Sequence, residues 1–356
     1  MNDQLIRAAF AASFFMAQTA HADDSWQPYF LLDSMTLSES VSIVHLGDGK
    51  GNFNPSGQRA FTSNWLEAGV RLTNGWQLGL LNRYEQSYHY SQDFAEFYHL
   101  TSQNMTLPVG KSYQLDFAAQ AWRGTGARLS YQLTLGQHSL GIGGSIFNTD
   151  TLTNGHITGN GSALSDKTYH YQVNVDYQYE SDKLFGRTDG ATPTGRGYAL
   201  DLSLQGQSDW ASYNLWVRDA LGHIDWGNTP RTTATASPAV SSYDANGYLQ
   251  VTPVLSGKEY ASQYSQALSP WIDANVRMPI SESMALQAAY REHYGYGQTG
   301  VGILTKVVAD GIGFLLYPES KTLSMQLRSG HWQYGLACDN PNPDQANQFW
   351  LTVGYR

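Results

Sequence analysis

The sequence predicts an all-β chain, a transmembrane antiparallel up-and-down β-barrel of about 14 or 16 strands behind a cleaved signal peptide. Three observations carry that prediction. The chain opens on an export signal, its composition is poor in charge and rich in aromatics, and apolar and polar residues alternate with period two along much of its length. Of 356 residues only 14% are charged, against about 25% in ordinary soluble chains, while 13% are aromatic and 35 residues are Gly. That mixture suits strands with one face on lipid and the other on a polar lumen. The formal net charge of −9 argues against a nucleic-acid partner, which needs clustered Lys and Arg. The aromatic content argues against disorder, and one cysteine excludes a disulfide scaffold or a multi-Cys zinc site.

Residues 1–22 read as the signal peptide. Arg7 precedes an apolar run from Ala8 to Ala17, and Ala20-His21-Ala22 supplies the small-x-small pattern for cleavage before Asp23. The run is too short to span a bilayer, which takes about 20 apolar residues. No Cys follows the cleavage site, and no later stretch has 18 consecutive apolar residues. A membrane destination for residues 23–356 therefore requires a barrel.

The strands follow in order. Leu66, Ala68, Val70 and Leu72 alternate with Glu67, Gly69 and Arg71, and Tyr113 to Ala121 alternate with Gln114, Asp116 and Gln120. Leu129 to Leu135 alternate with Arg128, Ser130, Gln132 and Thr134. The cleanest run is Tyr169 to Glu180, with Tyr171, Val173, Val175 and Tyr177 on one phase and Gln172, Asn174, Asp176 and Gln178 on the other. At about 3.3 Å per residue and a tilt of about 40°, Tyr169 and Tyr179 lie roughly 25 Å apart along a barrel axis, the height of an apolar band between aromatic girdles. Later runs start at Tyr198, Tyr213, Ile272, Met284 and Leu323. No helical period of useful length follows the signal. Turn residues at Asn74-Gly75, Arg123-Gly124, Gly136, Asp189-Gly190, Pro279 to Ser283, Pro318-Glu319 and Gly330 separate the runs, and the short gaps predict antiparallel hairpins. Residues 39–62, 150–166 and 222–262 lack clean alternation and read as loops. The last is the longest and the best candidate for a constriction or a partner-binding loop.

Signal, alternating strands and short turns together resemble a Gram-negative outer-membrane β-barrel of porin-like size, over essentially the whole of 23–356. The resemblance implies a cell-outer-membrane location, contact with lipid and lipopolysaccharide, and handling by the barrel-assembly machinery. Barrels of this kind commonly end on an aromatic residue. Here Phe349, Leu351, Val353 and Tyr355 keep the alternation, but Arg356 follows.

The polar phase carries charges of both signs: Arg71, Arg83, Arg128, Arg218, Arg277, Arg291 and Arg328, with Glu67, Glu85, Asp116, Asp176, Glu180, Asp201 and Asp273. Set apart in a wet pore they impose a field and select solutes. Paired across strands they rigidify a filled lumen, to which Trp122 and Trp216 on the same phase would add. Catalytic patterns are weak. His156 precedes Asn160-Gly161-Ser162 without the Ser-Arg-Ser cluster of an outer-membrane phospholipase, and His223 and Asp225 read as a rim pair. Asp48-Gly-Lys-Gly-Asn52 puts Lys50 where a calcium loop needs an oxygen, and Asp339 to Asp344 reads as a turn. No cofactor or metal is expected. The expected function is a porin-like channel for passive diffusion of small solutes through a polar, mixed-charge lumen. The alternative is a non-conducting barrel that displays loops or accompanies an export or assembly system.

Overall fold

The computed structural model describes residues 25–356 apart from 167, 183–185, 187–191, 239, 244–248, 253–254 and 307–309, so the signal-peptide reading of 1–22 and the Asp189-Gly190 turn lie outside the described residues. The chain runs through β1 (Trp26–Ser38), β2 (Arg59–Leu72), β3 (Trp76–Tyr90), the helix α1 (Gln92–Ser102), β4 (Ser112–Leu135), β5 (His138–Ala163), β6 (Tyr169–Tyr179), β7 (Thr194–Gln207) and β8 (Ser212–Ala236). Then come β9 (Val240–Tyr243), β10 (Leu249–Thr252), β11 (Leu255–Ala267), β12 (Trp271–Pro279), β13 (Met284–His293), β14 (Tyr296–Thr305), β15 (Gly311–Tyr317), β16 (Thr322–Ser329), β17 (Trp332–Cys338) and β18 (Gln348–Tyr355).

Fourteen of these strands close on themselves in the order β1-β2-β3-β4-β5-β7-β8-β12-β13-β14-β15-β16-β17-β18, with every neighbour antiparallel. The closing seam pairs Phe30 with Tyr355 and Leu37 with Gln348. Closure satisfies each strand's backbone groups within the sheet, which the hydrocarbon core demands. The short connections 73–75, 136–137, 208–211, 280–283 and 330–331 gather at one end, with Ser25 and Arg356. Gly75 (φ 92°), Gly136 (φ 62°) and Gly330 (φ 58°) supply the left-handed backbone that such tight turns require. By barrel convention this is the periplasmic end. The expected turn at Arg123-Gly124 instead lies inside β4, opposite a one-residue bulge at Asp150 of β5.

The outer wall is apolar where the polar phase turns inward. Leu78, Leu80, Ile146, Leu221, Val301, Phe314 and Leu323 all stand exposed on it. Trp76 packs on Tyr131, and Trp332 on Tyr355, as an aromatic girdle near the periplasmic turns. A closed antiparallel barrel with an apolar belt and an aromatic girdle is built to span a membrane, with its outward face on lipid and its backbone satisfied within the sheet.

Three strands outrun the membrane. β4, β5 and β8 have 24, 26 and 25 residues. Extended, each covers about 80 Å, far more than a tilted strand needs for an apolar band of about 25 Å. Above the barrel the distal half of β5 leaves β7 and pairs with β6, and the distal part of β8 pairs with β6 and β11. The segment 222–262, expected as a loop, is therefore mostly strand: β8 continues to Ala236, β9 and β10 form a hairpin, and β11 returns from Leu255. Residues 150–166 likewise belong largely to β5. The clean alternation of β6 reflects this raised sheet. Val175 and Tyr177 pack in a buried cluster with Ile157 and Val173 rather than facing lipid. Helix α1, which no helical period announces, lies in the connection from β3 to β4. Ser91 caps it by accepting the Phe94 N–H at 3.1 Å, and Ala95 packs against Ala60 and Tyr90.

Candidate functional site in the lumen

The lumen is divided into two parts. On the periplasmic side a cavity of about 830 Å³ runs inward from the turn residues Gly136 to His138 and Gln205 to Gln207. Its far wall is a layer of ion pairs and indole rings, supplied by Asp33, Glu67, Arg128, Asp201, Trp216, Arg218, Asp273, Arg291 and Trp350.

Arg83 sits at the centre of that layer. Its Nη1 donates to Asp219 Oδ1 at 2.8 Å and its Nη2 to Asp219 Oδ2 at 2.5 Å, a two-point fork that fixes both planes. The guanidinium lies 4.7 Å from the Trp65 ring centre and 4.8 Å from that of Trp122, a cation–π sandwich. Arg83 and Asp219 are each only 2% exposed. Glu85 accepts from Arg83 at 3.4 Å and from Ser63 at 2.9 Å, and its other oxygen lies 3.2 Å from His293 Nε2.

Three more arginines repeat the scheme. Arg218 donates to Asp33 at 2.6 Å beneath the rings of Trp216 and Trp271, and Thr352 donates to the second oxygen of Asp33. Arg128 donates to Asp201 at 2.6 Å and reaches Glu67 at 3.4 Å. Glu67 also accepts from Tyr29 at 2.6 Å and from the Trp65 indole at 3.1 Å. Arg291 places two donors on Asp273, at 2.9 and 2.6 Å, with its guanidinium 4.4 Å from the Trp350 ring. The wall makes room for these long side chains with glycine. A Cβ on Gly143 would stand 2.5 Å from Arg128 Nη2, and one on Gly197 only 2.1 Å from the Phe147 ring.

Farther from the periplasm, apolar side chains fill the lumen. Met35, Leu37, Phe61, Leu315 and Tyr317 form one buried cluster with Trp271 and Trp350, and Phe147, Leu152, Ile224 and Trp226 form another with Trp122. The expected lumen charges thus separate into three groups. Arg83, Arg128, Arg218, Arg291, Glu67, Glu85, Asp201 and Asp273 meet in the closing layer or against it. Arg71, Arg277 and Arg328 line the cavity, away from those acids. Asp116, Asp176 and Glu180 lie outside the barrel, because their strand segments extend above it: Asp116 contacts His156 at 3.1 Å, Asp176 holds Arg231 on β8, and Glu180 is exposed just beyond β6.

Several members of the layer escape sequence reasoning. Asp33 stands in a strand whose two phases are both largely apolar. Asp219 follows Arg218 and by strict alternation would face lipid. The β7–β8 register slips between Leu200 and Leu202, two extra residues bulge from β8, and Asp219 at φ 52° turns its carboxylate inward. Trp65, Trp271 and Trp350 share the inward phase of their strands with Glu67, Asp273 and Thr352.

The catalytic candidates lie apart, His156 within the raised sheet between β4 and β6 and His223 on β8 where it still pairs with β7. His223 lies 3.4 Å from Asp225 and also contacts the Tyr198 hydroxyl. Asp48 accepts from the Lys50 backbone, and Asp339 accepts from the backbone of Asn347 and Gln348, which closes that turn. Among the described residues no group of three or more His, Cys, Asp or Glu side chains gathers as a metal would require.

No family model matches the chain, and no curated protein matches it. Loose overlays onto solved outer-membrane channels exist. A deletion mutant of the TodX monoaromatic hydrocarbon channel gives a TM-score of 0.44 at 10% identity, over 94% of this chain and 90% of that one. The Ralstonia pickettii toluene transporter TbuX gives 0.32 at 8% identity, over 94% and 89%. A BenF-like porin from Pseudomonas fluorescens gives 0.16 at 10% identity, over 93% and 98%. Likeness this distant transfers nothing about solutes, and the architecture rests on the strand pairing described above.

Proposed function

We propose that the protein is an outer-membrane channel for small solutes, with the arginine–tryptophan layer as its gate. One observation carries the reading: every side chain of the layer belongs to a strand of the barrel wall. Asp33, Trp65, Arg83, Arg128, Asp201, Arg218, Asp219, Asp273, Arg291 and Trp350 all project from wall strands. Closure by side chains opens by rotation of side chains, with no backbone to unfold. Solutes cross passively, past paired charges and neutral polar groups on the periplasmic side and between aromatic and aliphatic side chains beyond the layer. The apolar belt meets lipid and lipopolysaccharide, and the barrel-assembly machinery inserts the chain.

The second reading is a non-conducting barrel whose raised sheet engages a partner. The two-point, almost fully buried Arg83–Asp219 pair favours it, since such a pair is costly to break. Planar-bilayer recording separates the two. Under the channel reading the refolded protein shows brief openings, and W65A/W122A, which strips the rings from Arg83, shows long, ohmic ones. A silent bilayer for both proteins, with insertion verified, sinks the channel and leaves the second reading.

A further inference from the structure

The lumen holds two kinds of arginine. Arg83, Arg128, Arg218 and Arg291 each donate to a carboxylate at 2.9 Å or less. Arg71, Arg277, Arg328 and Arg356 line the periplasmic cavity, and no Asp or Glu side chain lies within ion-pair distance of any of them among the described residues. The Nε atoms of Arg71 and Arg277 are buried without a hydrogen-bond partner. All four line the one cavity, Arg71 from β2, Arg277 from β12, Arg328 from β16 and Arg356 just beyond β18, so their like charges share that space.

The acids that share the cavity are already engaged. Asp33 is held by Arg218 and Thr352, Glu67 by Tyr29 and Trp65, Asp201 by Arg128 and the Asp219 backbone, and Asp273 by Arg291. Between these acids and the cluster the wall is neutral, with Gln326, Asn275 and Ser324 facing the cavity. Four like charges converging in a partly enclosed space raise the local potential and concentrate counter-ions. Planar guanidinium forks match the paired oxygens of carboxylate and phosphate groups.

We infer that Arg71, Arg277, Arg328 and Arg356 form a binding site for a small multivalent oxyanion, bearing carboxylate or phosphate groups, that enters from the periplasmic mouth. The site stands on the cavity's geometry and does not depend on conduction. A lumen that never opens still has a periplasmic vestibule.

The test is calorimetric titration of the refolded full chain in neutral detergent with citrate and, separately, inorganic pyrophosphate, at constant ionic strength. Wild type should bind at least one of them saturably, and the one bound identifies carboxylate or phosphate as the preferred group. R277Q/R328Q should weaken that binding at least tenfold, while R231Q, outside the barrel, should leave it unchanged. Removing mutually repelling charges should not unfold the barrel, and the heat-dependent gel shift verifies this for each variant. Equal binding by R277Q/R328Q and wild type, or no saturable binding to about 10 mM, a very weak affinity for four guanidiniums, overturns the site. Saturable binding beside a silent bilayer keeps the site and sinks the channel. Conduction without binding does the reverse.

Discussion

Asp219 is the side chain whose loss should cost this protein most. Without it Arg83 stays 2% exposed between two indole rings with only the 3.4 Å contact to Glu85. Stripping one partner from a buried ion pair costs about 3–5 kcal/mol. Urea unfolding in lipid vesicles should show D219A less stable by that order. D219N, which keeps one acceptor oxygen, should fall between. Asp176 offers the contrast. Its pair with Arg231 is partly exposed in the raised sheet, so D176A should cost no more than about 1 kcal/mol. The hydrogen bond from Arg231 holds the Asp176 carboxyl below its ordinary value. A lowered carboxyl contributes stability that is fully present above the unfolded pKa of about 3.9 and is lost as pH falls through the lower folded value. Limited proteolysis of the β6 region with an acid-tolerant protease should therefore accelerate below about pH 4 in wild type. In D176N the rate should be independent of pH there.

At the scale of elements, strand length decides what a strand is for. Period-two alternation reports a sheet with two unlike faces and is silent about which medium meets the apolar one. β6 alternates most cleanly in the chain, yet Val175 is 7% exposed inside a protein cluster. β13 and β16, shorter and less regular, carry lipid-facing Leu286 and Leu323. Cysteine scanning with a lipid-soluble maleimide should label L286C and L323C strongly, and S324C and V175C weakly. Strong labelling at V175C would place β6 back in the membrane. Helix α1 escapes detection for a related reason: eleven residues between two strands, with one buried residue, Ala95, show no lasting helical stripe. Only the cap at Ser91 and the acidic Asp93 beside it mark its start.

For the whole molecule the governing quantity is the filling of the lumen. A barrel of this strand number encloses space that small side chains leave open and large ones close. Here the periplasmic half is lined mainly by Gln, Ser, Asn and unpaired Arg, and the distal half is packed with Trp, Tyr, Phe and paired Arg. The resulting asymmetry predicts that W65A/W122A changes conductance more than any single charge substitution at the mouth, which should shift ion selectivity alone. Reversal potentials in a salt gradient check this: R277Q/R328Q, recorded in the W65A/W122A background, should lower anion preference without altering conductance by more than about twofold.

The sequence by itself determined the all-β class, the even-stranded membrane barrel, and the phase on which charge and indole rings lie. These follow from composition and local periodicity, because each residue of a membrane-spanning strand must choose between lipid and lumen. Only the tertiary structure decided that 14 strands close, that most of 222–262 is sheet rather than loop, and that Arg83 finds Asp219 while Arg277 and Arg328 find no acid among the described residues. Those outcomes depend on register and bulges between segments far apart in the chain. Arg83 and Asp219 are 136 residues apart and meet across the lumen. Alternation places a residue on a face, whereas its height and its partner are set by how every strand slides against its neighbours.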